Sequence, residues 1–279
     1  MFEREAVIID HREVVPGVFL LTLRDPFIAK EAEPGQFVMV RVHAGLDPLL
    51  RRPFSICALA GEDAFRLLYR VVGRGTALLS EAVEGDALAV LGPLGSGFRI
   101  DAASGPALLV GGGMGVAPLF FLAQALFRTE TPPFTFLAGF PSAGEVVGPA
   151  EILGSNLKLE LATEDGSAGY AGFVTELLRD RLDSDGPGAF GSVYACGPGA
   201  MLARIAALTS ERSISCQVSL EAAMACGLGA CLGCAVHAAP GETASYYRVC
   251  REGPVFDARI LDWTRTEHPG TGPNEGEAV

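Results

Sequence analysis

Four cysteines near the end of the chain restrict what it can fold into more than any other feature. Cys226, Cys231 and Cys234 are separated by four and then two residues, and Cys250 follows after fifteen more. This is the plant-type ferredoxin spacing, in which four thiolates hold a [2Fe–2S] cluster. Gly227, Gly229, Ala230 and Gly233 lie between the ligands. They are small enough for the backbone to wrap an inorganic core and aim amides at its sulfurs, and such hydrogen bonds tune the reduction potential. Structural zinc and plain core cysteines are the alternatives. Zinc sites usually show two short cysteine knuckles, whereas here three ligands are close together and the fourth stands alone.

The chain has seven cysteines, an odd number that precludes complete internal disulfide pairing. Met1 to Val14 is charged and alternating, with no basic segment leading into an apolar core, so a secretion signal is not expected. Both features point to a reducing cytoplasm, where clustered cysteines usually mean metal or redox work. Cys57 and Cys216 sit in apolar, strand-like surroundings and read as small core residues. His11, His43, His237 and His268 are scattered and form no ligand grouping.

A chain of 279 residues suits two domains, or two and an appendage. With 49 % hydrophobic and 19 % charged residues it has material for sizeable cores, which excludes global disorder. A net charge of −12 argues against a nucleic-acid surface, where phosphates demand a basic face. Ala102 to Phe127 carries no charge and is long enough on paper to cross a bilayer. Gly111, Gly112, Gly113, Gly115 and Pro118 interrupt it, so it reads as a buried strand, a glycine turn and a helix opening with Pro118. No membrane association is expected.

Three regions follow in order, giving a multidomain β plus α/β protein. Residues 1–102 contain six short β-favouring runs, at Val7–Val14, Val18–Leu23, Gln36–Val42, Phe54–Leu59, Phe65–Val72 and Ala87–Leu91, with one helix at Thr76–Val83. Turn signals such as Pro16-Gly17 and Pro34-Gly35 separate them, which suits a small six-stranded antiparallel barrel. Residues 103–214 alternate strand and helix, with strands at Ala107–Val110, Phe134–Ala138, Leu157–Ala162 and Ser192–Cys196. Helices at Pro118–Phe127, Phe173–Leu182 and Ala200–Thr209 separate them, the grammar of a Rossmann-like parallel sheet. Residues 215–263 hold the cysteine module, and 264–279, rich in Gly, Pro and acids, read as a disordered tail.

Two groups of residues in the barrel suit a phosphate-bearing cofactor. Arg52-Pro53-Phe54-Ser55 opens a strand with a guanidinium and a hydroxyl, which suit charge-assisted bonds to phosphate. Tyr69-Arg70-Val71-Val72-Gly73-Arg74-Gly75-Thr76 places Gly75 and Thr76 before a helix, whose free amides suit a diphosphate. An ordinary hairpin and capped helix is the alternative. In the α/β region, Gly111-Gly112-Gly113-Met114-Gly115 follows a strand and precedes a helix, where a dinucleotide loop belongs, and Cys196-Gly197-Pro198-Gly199 repeats the arrangement. Two such turns at neighbouring strand ends frame one crevice, unless they serve only glycine backbone geometry.

Taken together, Arg52–Ser55, Gly92-Pro93-Leu94-Gly95, the glycine run 111–115 and Cys196-Gly197-Pro198 resemble the ferredoxin–NADP reductase superfamily. Cys226 to Cys234, then Val249-Cys250-Arg251-Glu252-Gly253-Pro254-Val255-Phe256, narrow the resemblance to the electron-transfer subunits of bacterial dihydroorotate dehydrogenase, over about residues 3 to 263. The resemblance implies FAD bound by Arg52, Pro53, Phe54, Ser55, Tyr69, Arg70, Val71, Gly75 and Thr76. It implies a cluster on Cys226, Cys231, Cys234 and Cys250, and an FMN-containing catalytic partner in a heterotetramer with two copies of each subunit. Phe54 replaces the tyrosine common in the superfamily. NAD is expected at Gly112, Gly113, Gly115, Cys196, Gly197 and Pro198, with Cys196 a candidate near the nicotinamide. Gly139 to Gly144 offers no basic residue to meet a ribose 2′-phosphate, so NAD is expected over NADP. Rival readings are the small subunit of sulfide dehydrogenase or of an NADH-dependent ferredoxin–NADP transhydrogenase, an oxygenase reductase, and a zinc-stabilised binding subunit without catalysis.

Overall fold

The computed structural model describes residues 3–101, 105–128 and 133–265. The first region closes into a barrel of β1 (Glu3–Val15), β2 (Val18–Arg24), β3 (Phe37–Arg41), β4 (Arg52–Leu59), β5 (Ala64–Arg70) and β6 (Ala87–Leu94). The strand order is β1-β2-β5-β4-β3-β6, all neighbours antiparallel. Its inward set includes Ile8, Leu21, Leu23, Val38, Val40, Phe54, Ile56, Phe65 and Leu67, all buried. Two short helices accompany the strands, α1 (Pro26–Glu31) and α2 (Arg74–Ser80). The first was not expected, although its start is written in the sequence: the Asp25 carboxylate accepts from the Ile28 N–H at 2.9 Å, and Pro26 occupies the first turn. The second begins two residues before the expected start, so Gly75 and Thr76 lie inside its first turn rather than ahead of it.

The second region holds β7 (Ala107–Gly112), α3 (Val116–Arg128), β8 (Phe134–Phe140), α4 (Pro149–Leu153), β9 (Leu159–Thr163), β10 (Tyr170–Ala171), α5 (Val174–Asp185), β11 (Ser192–Cys196), α6 (Gly199–Glu211) and β12 (Ser215–Ser219). Two small strands follow, β13 (Ala235–His237) and β14 (Tyr246–Arg248), and then β15 (Val255–Asp257). The large sheet has the order β10-β9-β8-β7-β11-β12-β15. It is parallel except for β15, which pairs antiparallel with β12.

Two of these seven strands, β12 and β15, come from the segment read as the cysteine module. Sequence pattern placed a boundary at 214/215, but Cys216 and Val218 are buried in the sheet, and Val255-Phe256 closes its edge. The cysteine segment is therefore an excursion between two sheet strands. It shares one apolar core with the sheet: Cys234, Val236, Val249 and Cys250 pack with Val193, Ala195, Val218 and Leu202. The expected disordered tail, 264–279, lies beyond the described residues apart from Thr264 and Arg265. Among the described residues no helix is long and apolar enough to cross a membrane.

The barrel and the sheet are fastened to each other. The Gln124 side chain of α3 accepts from the Leu59 N–H at 2.8 Å and donates to the Leu59 carbonyl at 3.0 Å. Arg70 at the end of β5 pairs with Glu145 beyond β8 at 2.8 Å.

Candidate functional site: a cysteine loop, a split barrel edge and a glycine-lined crevice

The cysteine loop runs from Cys226 to Cys234 and is closed by Cys250. Gly227 and Gly229 have φ of +69° and +78°, and Leu232, without glycine's freedom, is held at +60°. Such turns aim amides inward: the Leu228 N–H donates to Cys226 Sγ at 3.4 Å and the Gly229 N–H to Cys250 Sγ at 3.1 Å. Cys234 Sγ and Cys250 Sγ lie 3.2 Å apart in the core, while Cys231 is exposed and Cys226 partly so. Burial opposes ionisation of Cys226, but the amides of Leu228, Cys231 and Ala230 outweigh it and bring the thiol down to about 6. Burial, reinforced by Cys234, pushes Cys250 up to about 12. Among the described residues, no three His, Cys, Asp or Glu side chains gather closely enough to hold a lone metal ion. A two-iron cluster divides four thiolates between two metals, and four thiols under inward-facing amides fit that group.

The barrel wall is split between β4 and β5. β4 and β5 pair from Leu59↔Phe65 only as far as Ile56↔Leu67. Beyond that point Arg52–Ser55 pairs with β3 and Leu68–Arg70 with β2, so the backbone edges that face each other have no ladder partner. The Arg52 guanidinium reaches across this opening to Gly75 of α2: a Cβ on Gly75 would sit 2.6 Å from Arg52 Nε. Thr76 Oγ1 caps the turn, accepting from the Val72 and Gly73 N–H groups at 2.9 and 3.2 Å. An arginine beside a bare helix turn, next to open strand edges, fits a flavin with its diphosphate.

Not every barrel residue expected there points into the gap. The Tyr69 hydroxyl bonds His11 Nε2 at 2.8 Å, and His11 Nδ1 lies 2.8 Å from the Ala82 carbonyl. The Phe54 ring is buried, 5.5 Å from the Tyr69 ring. Pro53 and Ser55, on the opposite side of β4 from Phe54, are half-buried. The side chain of Arg70 is committed to Glu145. Tyr69 and Arg70 therefore offer the gap backbone groups rather than their polar side chains.

The glycine turns do meet. A Cβ on Gly115 would stand 2.3 Å from the Cys196 carbonyl oxygen, so only glycine lets the start of α3 pack on the end of β11. Gly113 has φ +53° and open space where a side chain would go. Beside it opens a cavity of about 480 Å³, lined by Gly112, Gly113, Phe140, Pro198, Met201 and further residues of β8, α5 and α6. Of the six residues expected to hold the nucleotide, Gly112, Gly113 and Pro198 line this cavity. Gly115, Cys196 and Gly197 form the junction beneath it. Cys196 is buried; desolvation, then the charge of Glu221, holds its thiol well above the ordinary range, so it remains protonated. Sequence reading missed the wall formed by Glu164, Gly172, Phe173, Val174, Thr175 and Arg204. Glu164 follows β9, Gly172 to Thr175 lead into and open α5, and Arg204 lies on α6; none belongs to a motif, and only folding brings them to the glycine turns.

A split six-stranded barrel, a parallel sheet with its crevice at the carboxyl ends of the strands, and a four-cysteine loop define the ferredoxin–NADP reductase-like class of flavoprotein oxidoreductases carrying an iron–sulfur module. Comparison with known proteins agrees. Residues 221–262 match the family model described as the iron–sulfur cluster binding domain of dihydroorotate dehydrogenase B. The chain is 41 % identical over 262 residues to the electron transfer subunit of dihydroorotate dehydrogenase B (NAD(+)) from Geobacillus thermodenitrificans, covering 92 % of this chain and 98 % of that one. It is 38 % identical over 251 residues to the corresponding subunit of Desulforamulus reducens, covering 90 % and 94 %. A solved structure of an NADH-dependent reduced ferredoxin–NADP oxidoreductase, described for flavin-based electron bifurcation, superposes with a TM-score of 0.80 at 31 % identity, covering 93 % and 90 %. Phthalate dioxygenase reductase shares the fold at a TM-score of 0.63 and 16 % identity, covering 89 % and 94 %. The chain belongs to the family of dihydroorotate dehydrogenase B electron transfer subunits.

Proposed function

We propose that this chain passes electrons between NAD and the FMN of a dihydroorotate-oxidising partner, through its own FAD and [2Fe–2S] cluster. One observation carries the reading. Met39 of β3 is the register partner of Pro53 in the Arg52–Ser55 segment, and a Cβ on Gly227 of the cysteine loop would lie 2.6 Å from Met39 Cγ. The loop thus sits one strand away from the barrel edge suited to flavin, while the glycine crevice opens at the sheet beside the same barrel. A bound flavin accepts electrons in pairs from a nicotinamide and releases them singly, as a two-iron cluster requires.

Within this path each residue has a mechanical task. Arg52 and the turn at Gly75-Thr76 hold the diphosphate, and the edges of β4 and β5 at Ser55 and Tyr69–Val71 hold the ring system. Gly112, Gly113 and Pro198 position the dinucleotide. Cys226, Cys231, Cys234 and Cys250 bind iron as thiolates, and the amides of the loop stabilise their charge. Chemistry on the metabolite is assigned to the partner subunit. We place the assembly in the cytoplasm, where seven unpaired cysteines stay reduced, as two copies of each subunit.

The test is dihydroorotate oxidation coupled to NAD reduction, with this chain and an FMN-containing dihydroorotate dehydrogenase subunit, separately and together. Coupling is expected only with both present, and the two should co-migrate on gel filtration. Separate migration of cofactor-loaded proteins removes the reading.

A further inference from the structure

Arg248 ends β14 and pairs with Ala235 across the β13–β14 ribbon, so it stands close in the chain to Cys250 and beside the residue that follows Cys234. Its backbone is fixed on both sides. The Arg248 carbonyl accepts the N–H groups of Arg251, Glu252 and Gly253 at 3.0, 3.0 and 3.4 Å, and its own N–H donates to Glu252 Oε2 at 2.7 Å. The guanidinium is fixed as well. Its Nε donates to Glu252 Oε2 at 3.1 Å and its Nη2 to Glu252 Oε1. The remaining nitrogen, Nη1, donates to the Gly229 carbonyl of the cysteine loop at 2.9 Å. A planar fork can serve a carboxylate and a carbonyl together in this way, whereas a point charge cannot. A Cβ on Gly229 would lie 2.7 Å from Arg251 Cδ and 3.5 Å from Arg248 Nη1, so the glycine lets both arginines rest on the loop.

The contact with Gly229 has an electrical consequence. The Gly229 carbonyl and the Ala230 N–H are the two ends of one planar peptide unit. A cation bonded to the oxygen draws electron density toward it and makes the N–H at the other end a stronger donor. That N–H faces Cys226 Sγ. The Gly229 N–H, in the preceding peptide, donates to Cys250 Sγ at 3.1 Å. Arg248 thus bonds no sulfur with its side chain, yet it acts on one through a peptide. Glu252 offsets the charge of the guanidinium at longer range and leaves the local contact in place. Arg251 is the opposite case: its side chain makes no ion pair or hydrogen bond with another described residue, so it carries an uncompensated charge on the same loop.

We propose that Arg248 is a positioning residue for electron transfer: its bond to the Gly229 carbonyl strengthens the Ala230 donor toward Cys226 and raises the reduction potential of the cluster. The inference rests on the [2Fe–2S] reading above and adds a residue that sets the potential without binding iron. Reduction adds one electron to the cluster and no proton, the electron being supplied by the flavin. The added negative charge is shared by the sulfurs, where amide donors stabilise it. A polarised amide therefore favours the reduced form over the oxidised one.

The experiment is a potentiometric titration of the FAD- and cluster-loaded protein, read by the EPR signal of the reduced cluster. The double variant Arg248→Met/Glu252→Gln removes the bond and leaves the net charge unchanged. It should retain iron and favour the oxidised cluster about tenfold more than wild type at the same applied potential, a midpoint lower by about 59 mV. Arg251→Met removes a charge from the same loop but no bond, and solvent screening should keep its shift below about threefold. Arg248→Lys keeps the charge and gives up the fork, so its midpoint should fall between those of wild type and the double variant. If the double variant does not retain iron, Arg248→Lys decides. A midpoint at or above the wild-type value in the deciding variant overturns the inference, as does a shift in Arg251→Met as large as in that variant. A wild-type protein, reconstituted with iron and sulfide, that gives no such EPR signal overturns the cluster reading and this inference with it.

Discussion

The four cysteines come from one stretch of chain, Cys226 to Cys250, whereas the crevice draws Gly113, Phe140, Glu164 and Arg204 from four separate places: the turn after β7, the end of β8, the residue after β9 and the second turn of α6. In the loop, positive-φ turns at Gly227, Gly229 and Leu232 accompany amides that donate to the sulfurs of Cys226 and Cys250. In the crevice, strand register and the absence of side chains bring distant junctions into contact, as where Gly115 meets the Cys196 carbonyl. The contrast teaches that the loop's geometry is set cysteine by cysteine along one segment, while the crevice depends on packing beneath it. The loop is still not a free appendage, because Cys234 and Cys250 are buried in the sheet's own core.

The largest expected effect breaks the loop and spares the rest. Cys250→Ser replaces a thiolate that iron prefers with a poor ligand. The variant should lose cluster absorbance and coupled dihydroorotate oxidation while keeping FAD and NADH-driven dye reduction. Full coupled activity in a protein shown to lack iron would make the cysteines structural. Arg52→Ala tests the barrel edge and should weaken flavin by about 1.5–3 kcal/mol, the scale of a hydrogen bond to a charged group. Flavin should then be stripped on a desalting column with the cluster retained; unchanged flavin content would reduce Arg52 to a surface residue.

Smaller effects sharpen the account of the crevice. Gly115→Ala drives a methyl group into a backbone carbonyl and should cost about 1–3 kcal/mol as overpacking. Thermal melting should report the loss, and an unshifted midpoint would mean that the turn relaxes freely. The smallest effect belongs to the barrel interior. Tyr69→Phe removes the hydroxyl held by His11 and should cost about 0.5–1.5 kcal/mol in a denaturant melt. Flavin content should not change, because the gap is offered backbone groups at this position; flavin loss would show that the phenol itself is used.

Much of the site was legible because its signals are short-range. Cysteine spacing, Arg52–Ser55 and the glycine turns each lie within a few residues. The same holds for the six barrel strands, whose alternation and turn residues repeat along the chain. Less legible were α1, too short for a periodic pattern, and β12 and β15, whose brief runs are separated in sequence by the cysteine loop. The side-chain directions of Tyr69 and Phe54 also escaped, since a strand motif names residues without stating which alternate face turns inward.

The sequence by itself determined the four-cysteine spacing, the barrel, the strand–helix alternation and the glycines at strand ends, because each follows from local backbone geometry or from residue types at fixed spacing. Only the tertiary structure decided that the cysteine loop leaves from one sheet strand and returns to its antiparallel neighbour, and that Gly227 rests on the strand beside Arg52–Ser55. It alone brought Glu164 to the tip of β8 and lined the same crevice with Arg204. The physical reason is that these groups meet through hydrogen-bonded register and close packing between segments far apart in the chain, and neither leaves a local imprint on the residues that take part.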